Sequence, residues 1–148
     1  MKSNNNHVIN ILLVDDSDSD IKIVKDAFEQ AKLLNIVDVV KDGEEALSYL
    51  KKEGKYKSVE TPGLVLLDIN MPKKNGFQVL EEVKKDEKLK QIPIVMLTTS
   101  SRDEDVIKSY KGGACSYIKK PVGFQEMSEA IKQFSLYWAV VSKIPLPI

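Results

Sequence analysis

Short apolar runs alternate along this chain with longer segments in which apolar residues recur every three or four positions. The short runs cover residues 11–14, 36–40, 64–67, 92–97 and 114–118, and each has the length of a buried β-strand. The longer segments have the period of amphipathic α-helices. Their periodic residues are Ile21, Val24, Phe28, Ala31, Ala46, Leu47, Leu50, Val79, Leu80, Val83, Val106, Ile107 and Tyr110. This alternation predicts βα units around a parallel sheet.

Polar and glycine motifs mark the ends of the predicted helices. Ser101 followed by Glu104 has the spacing of a capping box, so we expect the fourth helix to begin there. Residues 51–63 contain two glycines and a proline and predict a long loop. The other boundary motifs are Asp42-Gly43 before the second helix, Asn75-Gly76 at the end of the loop after the third strand, and Gly112-Gly113 after the fourth helix.

The predicted strands are too apolar to have one face in water. Strands of this kind are covered by helices on both faces, which predicts a three-layer α/β sandwich. We expect the flavodoxin-like (βα)5 arrangement, with a parallel sheet of strand order 2-1-3-4-5. In such a sheet ligands bind beyond the carboxyl ends of the strands, where the strand order reverses.

Composition narrows the class of protein. The chain has 148 residues, the size of one domain, and its 22 basic residues balance its 22 acidic residues. This zero net charge argues against a protein that binds nucleic acid or a membrane surface. No apolar run has the roughly 18 residues of a spanning helix, and the first residues do not resemble a signal peptide. We expect a cytoplasmic protein with a disordered tail at residues 1–7 and one domain at residues 8–135.

Acidic residues stand where two neighbouring strands are predicted to end. Asp15 and Asp16 directly follow the first strand, and Asp68 follows the third. These strands are adjacent in the predicted order, so the three carboxylates converge on one crevice. At separations of about 5 Å they repel by roughly 3 kcal/mol per pair. The cluster therefore predicts a divalent cation, most naturally Mg²⁺, which prefers carboxylate, water and phosphate oxygens.

Two further polar residues are predicted at the same edge. Thr98 ends the fourth strand, and Lys120 stands at the end of the fifth, where it supplies a second positive charge. With a cation and a lysine beside it, one carboxylate can act as a nucleophile toward a phosphoryl group. Asp68 is our candidate because it stands at the tip of the apolar run LVLL.

Other uses of the acidic segment fit the sequence less well. A calcium loop of the EF-hand type needs glycine at its sixth position and glutamate at its twelfth, where this chain has Ile21 and Ala27. A flavodoxin-like nucleotide binder shares the predicted fold, but it offers glycines and backbone amides to phosphate. The loop after the first strand instead has four aspartates in six residues. A flavin carrier would be recognised by its colour on purification.

Together these motifs resemble the receiver domain of two-component response regulators. The resemblance extends from about residue 10 to residue 132 and rests on five spaced elements. They are Asp15-Asp16, Asp68 within LLDINMP, Thr98 within PIVMLTTS, Tyr117, and Lys120-Pro121. The loop at residues 51–63 and the ending YWAVVSKIPLPI further resemble the single-domain receivers that pair with bacterial phytochromes and hybrid kinases.

The resemblance implies a phosphoacceptor site. It implies that Asp68 accepts a phosphoryl group from a sensor histidine kinase or a histidine phosphotransfer protein. It also implies that Asp15, Asp16 and Asp68 hold Mg²⁺ together with the backbone carbonyl of Asn70. Lys120 is then expected to pair with the phosphoryl oxygens.

The resemblance also implies a conformational switch. Thr98 would turn its hydroxyl toward the new phosphate, and the ring of Tyr117 would swing inward. The peptide bond between Lys120 and Pro121 is expected to be cis. By this resemblance the chain is a signalling protein rather than an enzyme, apart from slow loss of its own phosphoryl group.

One enzyme class stays open as the alternative. Phosphohydrolases of the haloacid dehalogenase type also form an aspartyl phosphate at a strand end. They use a second aspartate two residues after the nucleophile as general acid, where this chain has Asn70. Multiple turnover of a small phosphate ester would favour this alternative.

The last residues of the chain are more apolar than one helix face requires. Met127, Ile131, Phe134, Trp138 and Val141 form one stripe that can dock a fifth helix on the sheet. Leu136, Tyr137, Val140 and Ile144 form a second stripe that the same face cannot bury. We therefore expect a homodimer joined by isologous contact of residues 136–148.

Overall fold

A computed structural model describes residues 10–30, 36–98, 103–114 and 116–119. Five β-strands and four α-helices alternate along these residues. The strands are β1 (Asn10–Val14), β2 (Ile36–Val40), β3 (Leu64–Asp68), β4 (Ile94–Thr98) and β5 (Ser116–Lys119). The helices are α1 (Asp18–Gln30), α2 (Gly43–Lys51), α3 (Gly76–Lys85) and α4 (Asp103–Lys111), and a short 3-10 helix covers Gly54–Tyr56.

The strands form one parallel sheet in the order β2-β1-β3-β4-β5. This is the predicted order, and it confirms the flavodoxin-like arrangement. The register aligns the carboxyl ends of the central strands, since Val14 pairs with Leu67 and Asp68 pairs with Leu97. The residues that follow each strand are therefore delivered to the same edge of the sheet.

Alternate residues of the strands face two separate apolar layers. Leu12 and Val14 of β1 pack in one layer with the apolar faces of α2 and α3. Ile11 and Leu13 of the same strand pack in the other layer with the apolar face of α1. Because strand side chains alternate in direction, a run of consecutive apolar residues supplies both layers at once. Helices on both faces confirm the predicted three-layer sandwich.

The predicted boundary motifs begin α2 and α3 and end α4. Asp42 Oδ1 accepts the backbone N–H of Glu45 at 2.7 Å. Asn75 Oδ1 accepts the N–H of Gln78 at 2.9 Å, and the side chain of Gln78 accepts the N–H of Asn75 in return, which completes a capping box. Gly113 follows α4 with a φ of 105°, a conformation that favours glycine.

The predicted apolar face of α4 is wrong. Ile107 is 53% exposed and Tyr110 is 50% exposed, while Val106 is half-buried. The fully buried position of this helix is Ser109, whose hydroxyl donates to the carbonyl oxygen of Asp105 at 2.9 Å. A small side chain that is satisfied within its own helix occupies the buried position, so the larger apolar residues lie on other faces.

Two strands begin two residues later than predicted. Before β4, the N–H of Ile92 donates to the carbonyl oxygen of Leu89 at 3.0 Å, so Ile92 belongs to a turn. Before β5, the N–H of Ala114 donates to the carbonyl oxygen of Ser109 at 3.0 Å, so Ala114 belongs to the turn that follows α4. Apolar character alone does not distinguish such buried turn residues from strand residues.

Some predicted features lie outside the described residues, and one predicted loop contains additional secondary structure. Ala31 and Ser101 lie outside the described residues. The predicted loop at residues 51–63 contains the short 3-10 helix and begins with the last residue of α2. Across the described ranges, no helix combines the length and the apolar character needed to cross a membrane.

Candidate functional site

Three acidic side chains lie together at the carboxyl edge of the sheet. Asp15 follows the last residue of β1, and Asp68 is the last residue of the adjacent strand β3. Asp15, Asp16 and Asp68 each offer a carboxylate oxygen, and these atoms lie within 4.8 Å of one another. The structure thus brings together the three carboxylates that the sequence predicts at one crevice.

The three carboxylates differ in burial. Asp15 is 0% exposed and Asp68 is 4% exposed, whereas Asp16 is exposed. Two carboxylates 4.8 Å apart repel by about 3.5 kcal/mol at an effective dielectric near 20. Oxygen donors in this number and at this separation suit a hard divalent cation, which compensates their charge. The cluster therefore fits the predicted metal site.

Backbone amides orient the two buried carboxylates. The N–H of Ser17 donates to Asp15 Oδ1 at 3.0 Å. The N–H of Asn70 donates to Asp68 Oδ1 at 3.4 Å. Both contacts join residues two positions apart, which is the geometry by which aspartate stabilises a turn. Each side chain is therefore held by the first residues of the loop that follows its strand.

The loop at residues 69–75 connects Asp68 to α3. The N–H of Ile69 donates to the carbonyl oxygen of Leu97 at 3.1 Å, and the N–H of Gly76 donates to the carbonyl oxygen of Ile69 at 2.8 Å. A Cβ atom on Gly76 would lie 2.5 Å from the carbonyl oxygen of Asp68. Glycine is required there because the helix backbone packs directly on the end of the strand.

Two lysines of the same loop form ion pairs with residues at neighbouring helices. Lys73 Nζ lies 3.6 Å from a carboxylate oxygen of Asp42, the residue that caps α2. Lys74 Nζ donates to a carboxylate oxygen of Glu82 in α3. No local pattern predicts these pairs, because each acidic partner belongs to another element. The pairs tie the loop beside Asp68 to α2 and α3.

Strands β4 and β5 end at the same edge. Thr98 is the last residue of β4, and it pairs with Lys119, the last residue of β5. Since Asp68 pairs with Leu97, the backbone of Thr98 lies one residue beyond the neighbour of Asp68. Tyr117 lies in β5. Outside the described residues lie Lys120, Pro121, Leu136, Tyr137, Val140 and Ile144.

Residues 11–132 match the family of response regulator receiver domains. This chain belongs to that family. The match covers most of its 148 residues and confirms the resemblance inferred from the aspartate, threonine and lysine motifs.

Several known proteins are similar to this chain over nearly their full length. Response regulator Rcp1 of Synechocystis sp. is 34% identical over 135 residues, which is 91% of this chain and 92% of Rcp1. The probable methanogenesis regulatory protein FilR2 of Methanothrix harundinacea is 36% identical over 138 residues, covering 93% of this chain and 88% of FilR2. The phosphorylated cyanobacterial phytochrome response regulator RcpA has a TM-score of 0.83 at 37% identity, covering 95% of this chain and 99% of RcpA.

Metal binding is recorded for one of these receivers. The Mn²⁺-bound form of Rcp1 has a TM-score of 0.81 at 34% identity and covers 95% of this chain and 99% of that structure. Receiver domains are signalling modules, and this chain is accordingly a response regulator receiver similar to phytochrome response regulators. The phosphohydrolase alternative is not favoured by these comparisons.

Proposed function

We propose that this receiver takes up a phosphoryl group on Asp68 from a phosphohistidine of a sensor histidine kinase or a histidine phosphotransfer protein. The observation that carries the proposal is the carboxylate cluster, in which a 4%-exposed Asp68 lies within 4.8 Å of the oxygens of Asp15 and Asp16. Membership of the receiver family supports the same reaction.

The cluster supplies a nucleophile and a place for its counter-charge. Asp15, Asp16 and Asp68, with the backbone carbonyl of Asn70, would hold Mg²⁺, which supplies positive charge to the oxygens of the incoming phosphoryl group. A carboxylate oxygen of Asp68 forms a bond to phosphorus while the bond from phosphorus to the histidine nitrogen breaks. The electron pair of the broken bond stays on the imidazole, which leaves as a neutral ring because its other nitrogen carries a proton. The N–H of Asn70 on Asp68 Oδ1 fixes the carboxylate during this transfer.

Three residues beyond the cluster would respond to the phosphoryl group. Lys120 would neutralise part of its charge, which is about −2 near neutral pH. Thr98, at the end of β4, would donate its hydroxyl to a phosphoryl oxygen, and Tyr117 in β5 would change position with it. The donation requires the phosphate, so the change has a defined chemical cause. The peptide bond between Lys120 and Pro121 is proposed to be cis.

Loss of the phosphoryl group to water would be slow. Water would attack phosphorus, and the carboxylate of Asp68 would leave. Asn70 stands two residues after Asp68 and offers an amide, which cannot serve as the general base that takes the proton of the attacking water. The protein would therefore hold its phosphoryl group long enough to signal.

The comparisons also support a proposal about partners. RcpA is a cyanobacterial phytochrome response regulator and RtBRR a bacteriophytochrome response regulator, at 37% and 39% identity to this chain. We propose a phytochrome-type histidine kinase as the phosphodonor. We further propose a cytoplasmic receiver domain at residues 8–135, a tail at residues 1–7, and a homodimer joined through residues 136–148. Light scattering on chains with and without residues 136–148 tests the dimer, and an unchanged monomer would contradict it.

Incorporation of phosphate from acetyl phosphate tests the proposed function. We expect Mg²⁺-dependent labelling of the wild type and none of Asp68→Ala. The matched control is Asp18→Ala, because Asp18 is 83% exposed and pairs with Lys41 outside the carboxylate cluster. This control should be labelled like the wild type. Labelling that persists in Asp68→Ala would refute the assignment of the phosphoacceptor.

A further inference from the structure

We infer that the start of α2 positions the loop beside the phosphoacceptor, with Gly43 and Asp42 as positioning residues. The inference rests on the proposed function of Asp68. Neither residue belongs to the carboxylate cluster, and both act on the loop at residues 69–75, which contains Asn70.

Gly43 brings the backbone of α2 directly against the backbone of this loop. It is the first residue of α2 and is buried. A Cβ atom at this position would lie 2.6 Å from Cβ of Lys74 and 2.8 Å from the carbonyl carbon of Lys74, with the carbonyl oxygen closer still. Real Cβ contacts are essentially never shorter than 3.0 Å. Any larger side chain must therefore displace either α2 or the loop.

Asp42 holds the loop from the same helix end. Its side chain accepts the N–H of Glu45 at 2.7 Å, and a carboxylate oxygen lies 3.6 Å from Lys73 Nζ. Lys73 has a backbone φ of 68°, a value that residues other than glycine rarely adopt. The carboxylate of Asp42 is mostly buried, with 18% exposure of its side chain. Asp42 thus caps α2 and also pairs with Lys73, the lysine at the strained position of the loop.

The loop is too short to absorb a displacement at Lys74 without moving the site. At its far end Asn75 caps α3, and Gly76 is bonded to Ile69 and packed on Asp68. A shift at Lys74 is therefore transmitted to α3 or to the turn that contains Asn70. Because that turn orients Asp68 and supplies a proposed metal ligand, its geometry limits both metal affinity and phosphorylation.

Gly43→Ala compared with Gly54→Ala tests the inference. Gly54 has a φ of 60° and nothing within 4 Å of its Cβ position, so its substitution strains the backbone without touching the loop. Mn²⁺ affinity is measured by electron paramagnetic resonance of the free ion, and phosphorylation by the rate of labelling from acetyl phosphate. We expect Gly43→Ala to weaken both by about 10- to 100-fold. Gly54→Ala should lower stability in urea but leave both readouts unchanged. Wild-type Mn²⁺ affinity in folded Gly43→Ala would overturn the inference.

A second experiment removes the ion pair between Asp42 and Lys73 and preserves the helix cap. Asp42→Asn keeps an equally good N-cap but removes the charge that faces Lys73. We expect Asp42→Asn and Lys73→Gln each to weaken Mn²⁺ binding by about two- to fivefold, with no further loss in the double variant. If Gly43→Ala does not fold, unchanged affinity in both of these variants would overturn the inference.

The Mn²⁺ readout separates this inference from the proposed function. If the wild type binds Mn²⁺ but Asp68 is never labelled, the phosphoacceptor assignment fails while the positioning effect is still measured. If Asp68 is labelled normally in the wild type and in Gly43→Ala alike, the positioning effect fails alone.

Discussion

Replacing Asp15 by asparagine should stabilise the metal-free protein. Asp15 is fully buried, and its carboxylate lies within 4.8 Å of those of Asp16 and Asp68. Each such pair repels by about 3.5 kcal/mol at an effective dielectric near 20. Because Asp16 is exposed, solvent weakens its repulsion with the other two carboxylates. The amide oxygen of the variant can still accept the N–H of Ser17. We expect the free energy of unfolding in EDTA to rise by about 1 to 3 kcal/mol.

Mg²⁺ should reduce or reverse this difference in the free energy of unfolding. A cation that binds only the folded wild type stabilises it by about 2.7 kcal/mol when its concentration is 100 times Kd. Asp15→Asn lacks one of the three carboxylates, so Mg²⁺ should raise its free energy of unfolding much less. Urea unfolding followed by circular dichroism, in EDTA and in saturating Mg²⁺, gives all four free energies.

The matched control for this experiment is Asp18→Asn. Asp18 is 83% exposed and 2.6 Å from Lys41, outside the cluster, so the wild-type gain from Mg²⁺ should be retained. The electrostatic reasoning is refuted if Asp15→Asn is less stable than the wild type in EDTA, or if Mg²⁺ stabilises both proteins equally.

Two further predictions concern the supporting structure. Burial, reinforced by a hydrogen bond to Asp38, raises the pKa of Tyr49, so the folded state favours the neutral phenol. This contribution to the free energy of unfolding is complete below about pH 10 and is lost as the pH rises further. Tyr49→Phe should therefore flatten the alkaline loss of unfolding free energy, unlike the control variant Tyr110→Phe at a half-exposed position; equal slopes would contradict this. Asn75→Ala removes the oxygen that accepts the N–H of Gln78 and should cost about 1 kcal/mol in urea unfolding, whereas Asn75→Ser should not.

The position of the carboxylate cluster could be predicted because it depends on strands alone. Short apolar runs fixed β1 and β3, and parallel strands in this order deliver the residues after them to one edge. Asp15 and Asp68 are therefore neighbours in any sheet of this strand order. Capping residues such as Asp42 and Asn75 were equally predictable, because a cap is a local contact between residues three positions apart.

Contacts between elements distant in sequence could not be predicted in this way. The apolar residues of α4 do not lie on one buried face. Ser109 is buried in this helix, whereas Ile107 and Tyr110 are exposed. The approach of Gly43 to Lys74 depends on how α2 and the loop after β3 are placed in space. A glycine next to a helix cap has an ordinary local explanation, so the sequence gives no reason to seek a second one.

The same physical quantity governs the stability of this site and its use. Repulsion among Asp15, Asp16 and Asp68 should lower the stability of the metal-free fold, and a bound cation should offset that repulsion. Relief of this repulsion therefore contributes to the affinity for the cation. The contribution depends on how firmly the structure holds the carboxylates close together. Gly76 packs on the strand end and Gly43 packs on Lys74, and both contacts restrict movement of the loop after Asp68. Loosening the loop should consequently weaken metal binding, and in Gly43→Ala the repulsion that is relieved should offset only part of the cost of the steric clash with Lys74.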